Sequence, residues 1–173
     1  MWAVPFSASL HPISGGGFFM RLFGRFGLGA TLGALLVPTV ALGNAIDTFF
    51  VGKAECYARS YDKAHLASHP DQRVTDIWLG VGGFQDPAGD ATLDFGFRLR
   101  QGSAYSAAAI CTGMVCRIEG DGGSFTLSAS GESVRIDIGS FLVLEGEEDF
   151  SGDLAISDDT VFVVHRAAAS ACP

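Results

Sequence analysis

The sequence predicts an all-β protein, a small antiparallel meander barrel or sandwich of about eight strands with one short helix after the first strand. The first observation is alternation: in ATLDFGFRLR, the apolar residues Leu93, Phe95 and Phe97 share one face and polar residues occupy the other, as in a half-buried antiparallel strand. The second is that such runs are short and are separated by turns rich in Gly, Asp and Ser. A covalent link between the first and last strands, which the cysteines allow, favours a closed barrel without exposed strand edges.

The strands follow one another with tight turns between them. Ser130 and Gly131 mark the turn of one hairpin, and Gly113 marks another. In chain order, the eight or nine runs are AECYARS, VTDIWLGVGGF, ATLDFGFRLRQG, SAYSAAAIC, VCRIEG, the two arms of SFTLSASGESVRIDI, SFLVLEG and TVFVVHRA. Residues 62–69 break the pattern with helix-forming residues that are ended by Pro70, and Ser60 or Asp62 precedes them as a suitable N-cap.

A secretory signal peptide is predicted near the N-terminus. Arg21 and Arg25 precede the uncharged run 26–43, which ends in small residues. This layout predicts cleavage after Gly43 or Ala45. The expected location of the mature protein is therefore periplasmic or secreted.

The predicted organisation has three parts. Residues 1–19 show no periodicity and precede Met20, so they are interpreted as a non-structural leader or a mis-assigned start; residues 20–45 are the signal peptide and 46–173 are a single exported β domain. An uncleaved membrane anchor is the alternative for the apolar run. That run is short for a membrane span, and it contains four glycines and Pro38.

The exported domain is acidic. All 19 acidic residues and nine of the 11 basic residues lie beyond residue 45, so its formal charge is 9 − 19 = −10. Such a charge opposes binding to nucleic acid or anionic lipid and favours a basic partner. No motif predicts a cofactor.

The four cysteines are predicted to form two disulfides, because an even number behind a signal peptide indicates an oxidising compartment. Three pairings are open. We favour Cys111–Cys116 across the ICTGMVC hairpin and Cys56–Cys172 between the first strand and the last residues. Free buried thiols are the alternative.

His65 and His69 lie one turn apart on the predicted helix, a spacing that allows two imidazoles to share a metal ion. The zincin pattern fails, because Leu66 occupies the position of its glutamate. Asp62 and His165 are the remaining candidate ligands. We favour a packed helical turn, in which the histidines cap the helix or bond to neighbouring loops.

Other chemistry has less support. The acidic stretch EGEEDFSGD, residues 145–153, lacks the spacing of a calcium loop and is interpreted as a solvated loop or a contact surface for a basic protein. A carboxylate pair such as Glu145 and Asp153 has no defined separation. The sequence contains no G-x-S-x-G nucleophile elbow, and the glycines of GVGGFQ are interpreted as a bend or bulge.

Several aromatic residues are candidates for an interaction surface. Trp78 is predicted on the strand face opposite Ile77, where its ring either stacks on a ligand or packs in a second core. Tyr57 and Tyr61 flank Arg59, a spacing suited to core packing or a cation–π contact.

The layout, an exported barrel with one cysteine in an early strand and one at the end, resembles the periplasmic inhibitors of c-type lysozyme. Their Ser-Gly-x-x-Tyr loop is matched most nearly by Gly102 to Tyr105, with Ser103 and Gly102 in reversed order. The resemblance implies inhibition of a basic enzyme, with Ser103 and Tyr105 in the contact.

Three functions follow from these observations. The one we favour is a non-catalytic exported β-barrel that binds a basic protein or, in room left by Ala104 and residues 107–109, a small apolar ligand. The first alternative is an inhibitor of a basic exported enzyme such as c-type lysozyme. The second is a metal-dependent enzyme that uses His65 and His69.

Overall fold

Eight antiparallel strands form a closed barrel in the order in which they occur in the chain. The computed structural model describes residues 43–50, 56–147 and 149–173. The strands are β1 (Cys56–Ser60), β2 (Val74–Val81), β3 (Ala91–Leu99), β4 (Ala104–Thr112), β5 (Val115–Ile118), β6 (Gly123–Ser130), β7 (Ser133–Leu142) and β8 (Val161–Ala167). β8 pairs with β1 through Cys56 opposite Ala167 and Ala58 opposite His165, which closes the barrel. The predicted all-β meander is confirmed, as a barrel rather than a sandwich.

Two short helices accompany the strands: α1 (Ala45–Phe49) precedes β1, and α2 (Lys63–Ser68) follows it as predicted. The N-cap of α2 is Asp62, whose carboxylate accepts a hydrogen bond from the His65 N–H at 2.7 Å. Three short 3₁₀ turns cover Glu119–Asp121, Leu154–Ile156 and Ala169–Ala171. The predicted leader and most of the predicted signal peptide lie outside the described residues.

Large apolar side chains fill the barrel interior. Leu93, Phe95 and Phe97 of β3 are fully buried, as their alternation predicts. Phe95 packs on Phe125 of β6, with ring centroids 4.7 Å apart. Burying each such side chain contributes about 1.5–3 kcal/mol, so the interior stabilises the fold. Ala109 is also buried against this core.

Helix α1 belongs to the same core. Ala45 is fully buried, and its N–H donates to the carbonyl of Gly113 at 3.1 Å. Phe49 is buried, and its carbonyl accepts a hydrogen bond from the Tyr57 hydroxyl at 2.8 Å. Asn44 caps the helix through its side-chain oxygen. No pattern in the sequence predicted this helix.

Both predicted disulfides are present. Cys56–Cys172 joins β1 to the residues after β8, across a sequence separation of 116. Cys111–Cys116 joins two residues that face each other in the β4–β5 pair. The first therefore fixes the C-terminal segment against the strand that closes the barrel. The pair of disulfides indicates an oxidising, extracellular-type environment.

The prediction of a separate SFLVLEG strand is wrong. Its first residues continue β7 to Leu142, and the chain then leaves the sheet, with only an isolated bridge between Glu145 and Phe150. The continuous run from Ser133 to Leu142 pairs with β6 on one side and, over residues 134–137, with β8 on the other. The described residues therefore form eight strands.

Strand lengths are uneven at one place in the wall. β4 has nine residues, whereas β5 has four and pairs only with Ala109–Thr112. The first half of β4, residues 104–108, therefore pairs with β3 alone among the described strands. β5 ends at Ile118; Gly120 and Asp121 follow it with φ values of 71° and 63°, in the left-handed region, before β6 begins.

None of the helices in the described part of the chain has the length and apolar character needed to span a membrane.

Candidate functional site

An open cleft lies beside the unpaired half of β4, and we call it the acidic cleft. It has two adjoining lobes of about 580 Å³ and about 690 Å³ that share Ser106 and Glu145. β4, the turn after β5, the end of β7 and the loop that follows β7 supply its walls. Its lining comprises Ser103, Ala104, Tyr105, Ser106, Ala107, Ala108, Ile118, Glu119, Gly120, Asp121, Gly122, Phe141, Val143, Glu145, Gly146, Glu147, Asp149 and Phe150.

Carboxylates dominate the charge of the acidic cleft. Among the described residues, five exposed acids line it and no Lys, Arg or His does; the acids are Glu119, Asp121, Glu145, Glu147 and Asp149. The two ion pairs among the described residues lie elsewhere, at Arg98–Asp76 and Arg135–Asp137. The cleft is therefore a concentrated negative surface on an already acidic protein, which attracts basic groups.

Tyr105 fixes one wall of the cleft. Its ring is buried in the barrel, while its hydroxyl donates to Oδ1 of Asp149 at 2.9 Å. Burial, reinforced by the Asp149 carboxylate, raises the pKa of the Tyr105 phenol above its ordinary value. A Cβ on Gly146 would lie 2.8 Å from Cε1 of the Tyr105 ring, so only glycine allows the loop to approach this closely.

A second set of bonds holds the far end of the same loop. The Arg73 guanidinium donates to the carbonyl oxygens of Ser151 and Asp153, the latter at 3.1 Å. Asp153 in turn accepts from the Leu142 N–H at 2.9 Å, and the Ser151 hydroxyl accepts from the Leu144 N–H at 3.0 Å. The loop is thus anchored at both ends, which gives the cleft a defined wall.

Two exposed aromatic residues add an apolar component. Phe141 is 44% exposed and Phe150 is 66% exposed, and both line the cleft with the half-buried Val143. Large apolar side chains grouped at one concave surface are typical of a contact site for another protein. Sequence analysis identified the acidic loop but not these two residues, because exposure cannot be read from an isolated Phe.

The alanines of β4 border both the barrel core and the acidic cleft. Ala109 is buried in the core and Ala107 packs against it, while Ala104, Ala107 and Ala108 line the acidic cleft. The room that these small residues leave is therefore in the acidic cleft.

Four predicted interaction residues form a stack of side chains outside the cleft: Arg59, Tyr61, His65 and His69. The guanidinium carbon of Arg59 lies 4.5 Å from the centroid of the Tyr61 ring. The rings of Tyr61 and His65 are 4.6 Å apart, and those of His65 and His69 are 4.2 Å apart. Burial raises the pKa of the Tyr61 phenol, and the positive charge of Arg59 opposes that shift.

The histidines of this stack already have protein partners. Nδ1 of His69 donates to the His65 carbonyl oxygen at 3.0 Å, and Nε2 of His65 lies 2.9 Å from Oε1 of Gln72. The two candidates for a further metal ligand also have other partners. Asp62 caps α2, and Nδ1 of His165 lies 2.8 Å from Oγ of Ser133. Within the described ranges, no group of three or more His, Cys, Asp or Glu side chains is arranged to hold a metal ion.

Trp78 and Tyr57 occupy packed positions. Trp78 is 5% exposed and lies on Gly96, where a Cβ would be 2.4 Å from its ring. The C-terminal residues around Ala171 border the same outer surface, in a pocket of about 360 Å³. Tyr57 is 2% exposed, and the guanidinium carbon of Arg166 lies 5.7 Å from its ring centroid. Tyr57 belongs to the barrel core, whereas Trp78 is buried on the outer side of β2.

Of the predicted interaction residues, the structure brings only Ser103 and Tyr105 to the acidic cleft, where they join Glu145, Gly146, Glu147 and Asp149. Fold and site together define a small disulfide-bonded β-barrel with one acidic, partly apolar cleft in its wall. Comparison with protein-family models, curated proteins and solved structures finds no match to this chain.

Proposed function

We propose that this protein is a non-catalytic, exported binding protein that holds a basic partner protein in the acidic cleft. The observation that carries the proposal is the set of five carboxylates that line the cleft, with no basic residue in the part of its lining that the structure describes, beside two exposed phenylalanines. Complementary charge speeds encounter with a basic partner and selects against acidic ones. Apolar side chains at the same surface supply the area that a stable contact needs.

The proposed location is the periplasm or the exterior of the cell. The two disulfides support it, since such bonds persist in oxidising compartments. The predicted signal peptide supports it from the sequence side.

Inhibition of a basic exported enzyme, such as a c-type lysozyme, is the second candidate. The observation that favours it is the position of Ser103 and Tyr105, the two residues that resemble the inhibitor loop, at the edge of the acidic cleft. In this version the same carboxylates hold the enzyme, and the cleft residues block its substrate groove.

The test measures the affinity of the oxidised protein for two basic probes, a seven-residue peptide that alternates lysine and valine, and a c-type lysozyme. A cleft variant carries Asp121→Asn, Glu145→Gln and Glu147→Gln. Asn tolerates the positive φ of position 121, so the fold should be retained. A control variant carries Asp71→Asn, Glu132→Gln and Asp158→Asn, three exposed acids that do not line the cleft.

The two variants change the net charge equally, so the comparison isolates the position of the charges. At about 0.5 kcal/mol for each exposed charge, we expect the cleft variant to bind the peptide roughly tenfold more weakly, and the control to bind like the wild type. Equal affinities of the two variants would contradict the proposal. Loss of lysozyme activity on binding would support the inhibitor version, and binding with full activity would exclude it.

A further inference from the structure

We propose that the partner binds as an added β-strand, with its backbone hydrogen-bonded to the free half of β4 at Ser106. The inference rests on the proposed function and specifies how that function is carried out. An extended segment of a basic protein would occupy the position that β5 leaves vacant.

Successive residues of β4 direct their backbone N–H and C=O groups alternately toward β3 and toward the opposite side. The groups that do not bond to β3 therefore face the cleft. The Leu99 N–H donates to the Ser103 carbonyl at 2.8 Å, which makes this a hydrogen-bonded pair. Such pairs alternate along an antiparallel ladder, so Tyr105 and Ala107 bond to β3. The N–H and C=O of Ser106, between them, point to the opposite side, where the cleft lies. The β4–β5 ladder ends at Ala109, so it does not reach Ser106.

The cleft has the length that a short strand needs. Residues 104–108 are extended and, at a rise of about 3.4 Å per residue, cover roughly 17 Å. A segment of about five residues therefore fits along this edge. Strand addition to an exposed sheet edge is a common mode of peptide recognition, in which main-chain bonds supply affinity and side-chain contacts supply specificity.

The negative charge of the cleft favours a basic segment as the added strand. A second copy of this chain would bring further negative charge to five carboxylates, which disfavours edge-to-edge pairing of the protein with itself. A basic segment is attracted instead. Because strand side chains alternate between two faces, a segment of alternating basic and apolar residues can present cations to Glu145 and Glu147 and apolar groups to Phe141 and Phe150.

The test uses the alternating lysine–valine peptide and two derivatives, N-methylated at every lysine or at every valine. N-methylation removes a backbone donor and keeps the side-chain charge. Pairing along one edge requires one set of amides, so we expect one derivative to bind at least tenfold more weakly and the other to stay close to the parent. We also expect the hydrogen exchange of the Ser106 amide to slow at least tenfold in saturating peptide.

Two variants of the protein complete the test. Ser106→Pro removes the N–H on the cleft side, a change that edge strands tolerate, and is expected to weaken binding at least tenfold. Ser106→Ala keeps that N–H but loses the same hydroxyl, so it is the matched control and is expected to bind at least tenfold more tightly than Ser106→Pro. Hydrogen exchange of the wild type decides the question even if the proline variant fails to fold.

The outcomes separate this inference from the proposed function. Carboxylate-dependent binding with equal affinity for both methylated peptides and an unchanged Ser106 amide would overturn strand addition and leave charge-driven binding intact. Peptide binding that does not depend on the cleft carboxylates would overturn both.

Discussion

Tyr105 links the barrel core to the candidate site. Its ring packs against Phe97, with centroids 5.8 Å apart, while its hydroxyl reaches Asp149 in the cleft loop. One side chain therefore stabilises the interior and positions one of the five carboxylates. The neutral phenol is the form that this environment favours, since burial and the carboxylate both oppose its ionisation.

Stability should consequently fall at alkaline pH. The folded-state pKa of Tyr105 is raised above its unfolded value of about 10, so its contribution is complete below pH 10 and is lost as pH rises through the folded-state pKa. We expect Tyr105→Phe to lower the free energy of unfolding by about 1 kcal/mol at pH 8, through the lost hydrogen bond, and to weaken its decline at higher pH. Urea unfolding between pH 8 and 12 measures both effects. An identical alkaline decline in wild type and variant would refute the assignment to Tyr105.

Asp159 is a fully buried carboxylate that organises the start of β2. It accepts hydrogen bonds from the N–H groups of Arg73, at 2.8 Å, and Val74, at 3.1 Å, and from the Ser157 hydroxyl at 2.8 Å. Asp159→Ala leaves these donors without their partner, and we expect a loss of about 2–4 kcal/mol in chemical denaturation. Asp158→Ala, at an exposed neighbour, should change stability by less than about 0.5 kcal/mol.

At the scale of elements, the mismatch between β4 and β5 creates the site. β5, the partner of β4, ends just before the sequence EGDGG, in which Gly120 and Asp121 adopt positive φ. Gly122 then approaches the β7 end so closely that a Cβ would lie 2.7 Å from the Val143 carbonyl oxygen. The loop after β7 consequently faces the free half of β4 across the cleft.

The two disulfides should differ in their contribution to stability. In the entropic model, closing the loop of separation 116 contributes about 5 kcal/mol, whereas closing the loop of separation 5 contributes about 2 kcal/mol. We expect replacement of Cys56 and Cys172 by alanine to lower the urea midpoint more than replacement of Cys111 and Cys116. The reverse order would show that local packing of the β4–β5 hairpin outweighs loop closure.

Helix α1 distinguishes the two predicted cleavage positions. Cleavage after Ala45 would remove both the Asn44 cap and the buried Ala45 side chain, whereas cleavage after Gly43 retains them. We therefore expect the exported protein to begin at Asn44, with the intact mass as the readout. A mature N-terminus at Ile46 would show that the core does not need these residues.

At the scale of the whole molecule, the barrel could be predicted from its sequence because alternation is local. Leu93, Phe95 and Phe97 are buried where the period-two pattern puts them, and the glycine-containing turns fall where expected. The pairing of the cysteines could also be predicted, because the local strand pattern indicated that the first and last strands lie side by side.

The cleft could be predicted only in part. The acidic loop and Tyr105 can be identified in the sequence. Their contact in the structure depends on the early end of β5 and on Arg73, whose side chain donates hydrogen bonds to residues at sequence separations of 78 and 80. Likewise, the strand alternation makes Trp78 and Tyr57 candidates for an exposed surface. In the structure, Trp78 borders a pocket with the C-terminal segment, and the Tyr57 hydroxyl bonds to Phe49 of α1. Contacts of such sequence separation leave no periodic signal.

The most direct test of the central claim is to map the backbone amide chemical shifts of the oxidised protein during titration with the alternating lysine–valine peptide. We expect the shifts that change to concentrate at residues 104–108, 119–122 and 141–147, and the variant with Asp121→Asn, Glu145→Gln and Glu147→Gln to lose most of this response. Changes centred instead on the Trp78 pocket or on the stack from Arg59 to His69 would contradict it, as would the absence of any saturable change.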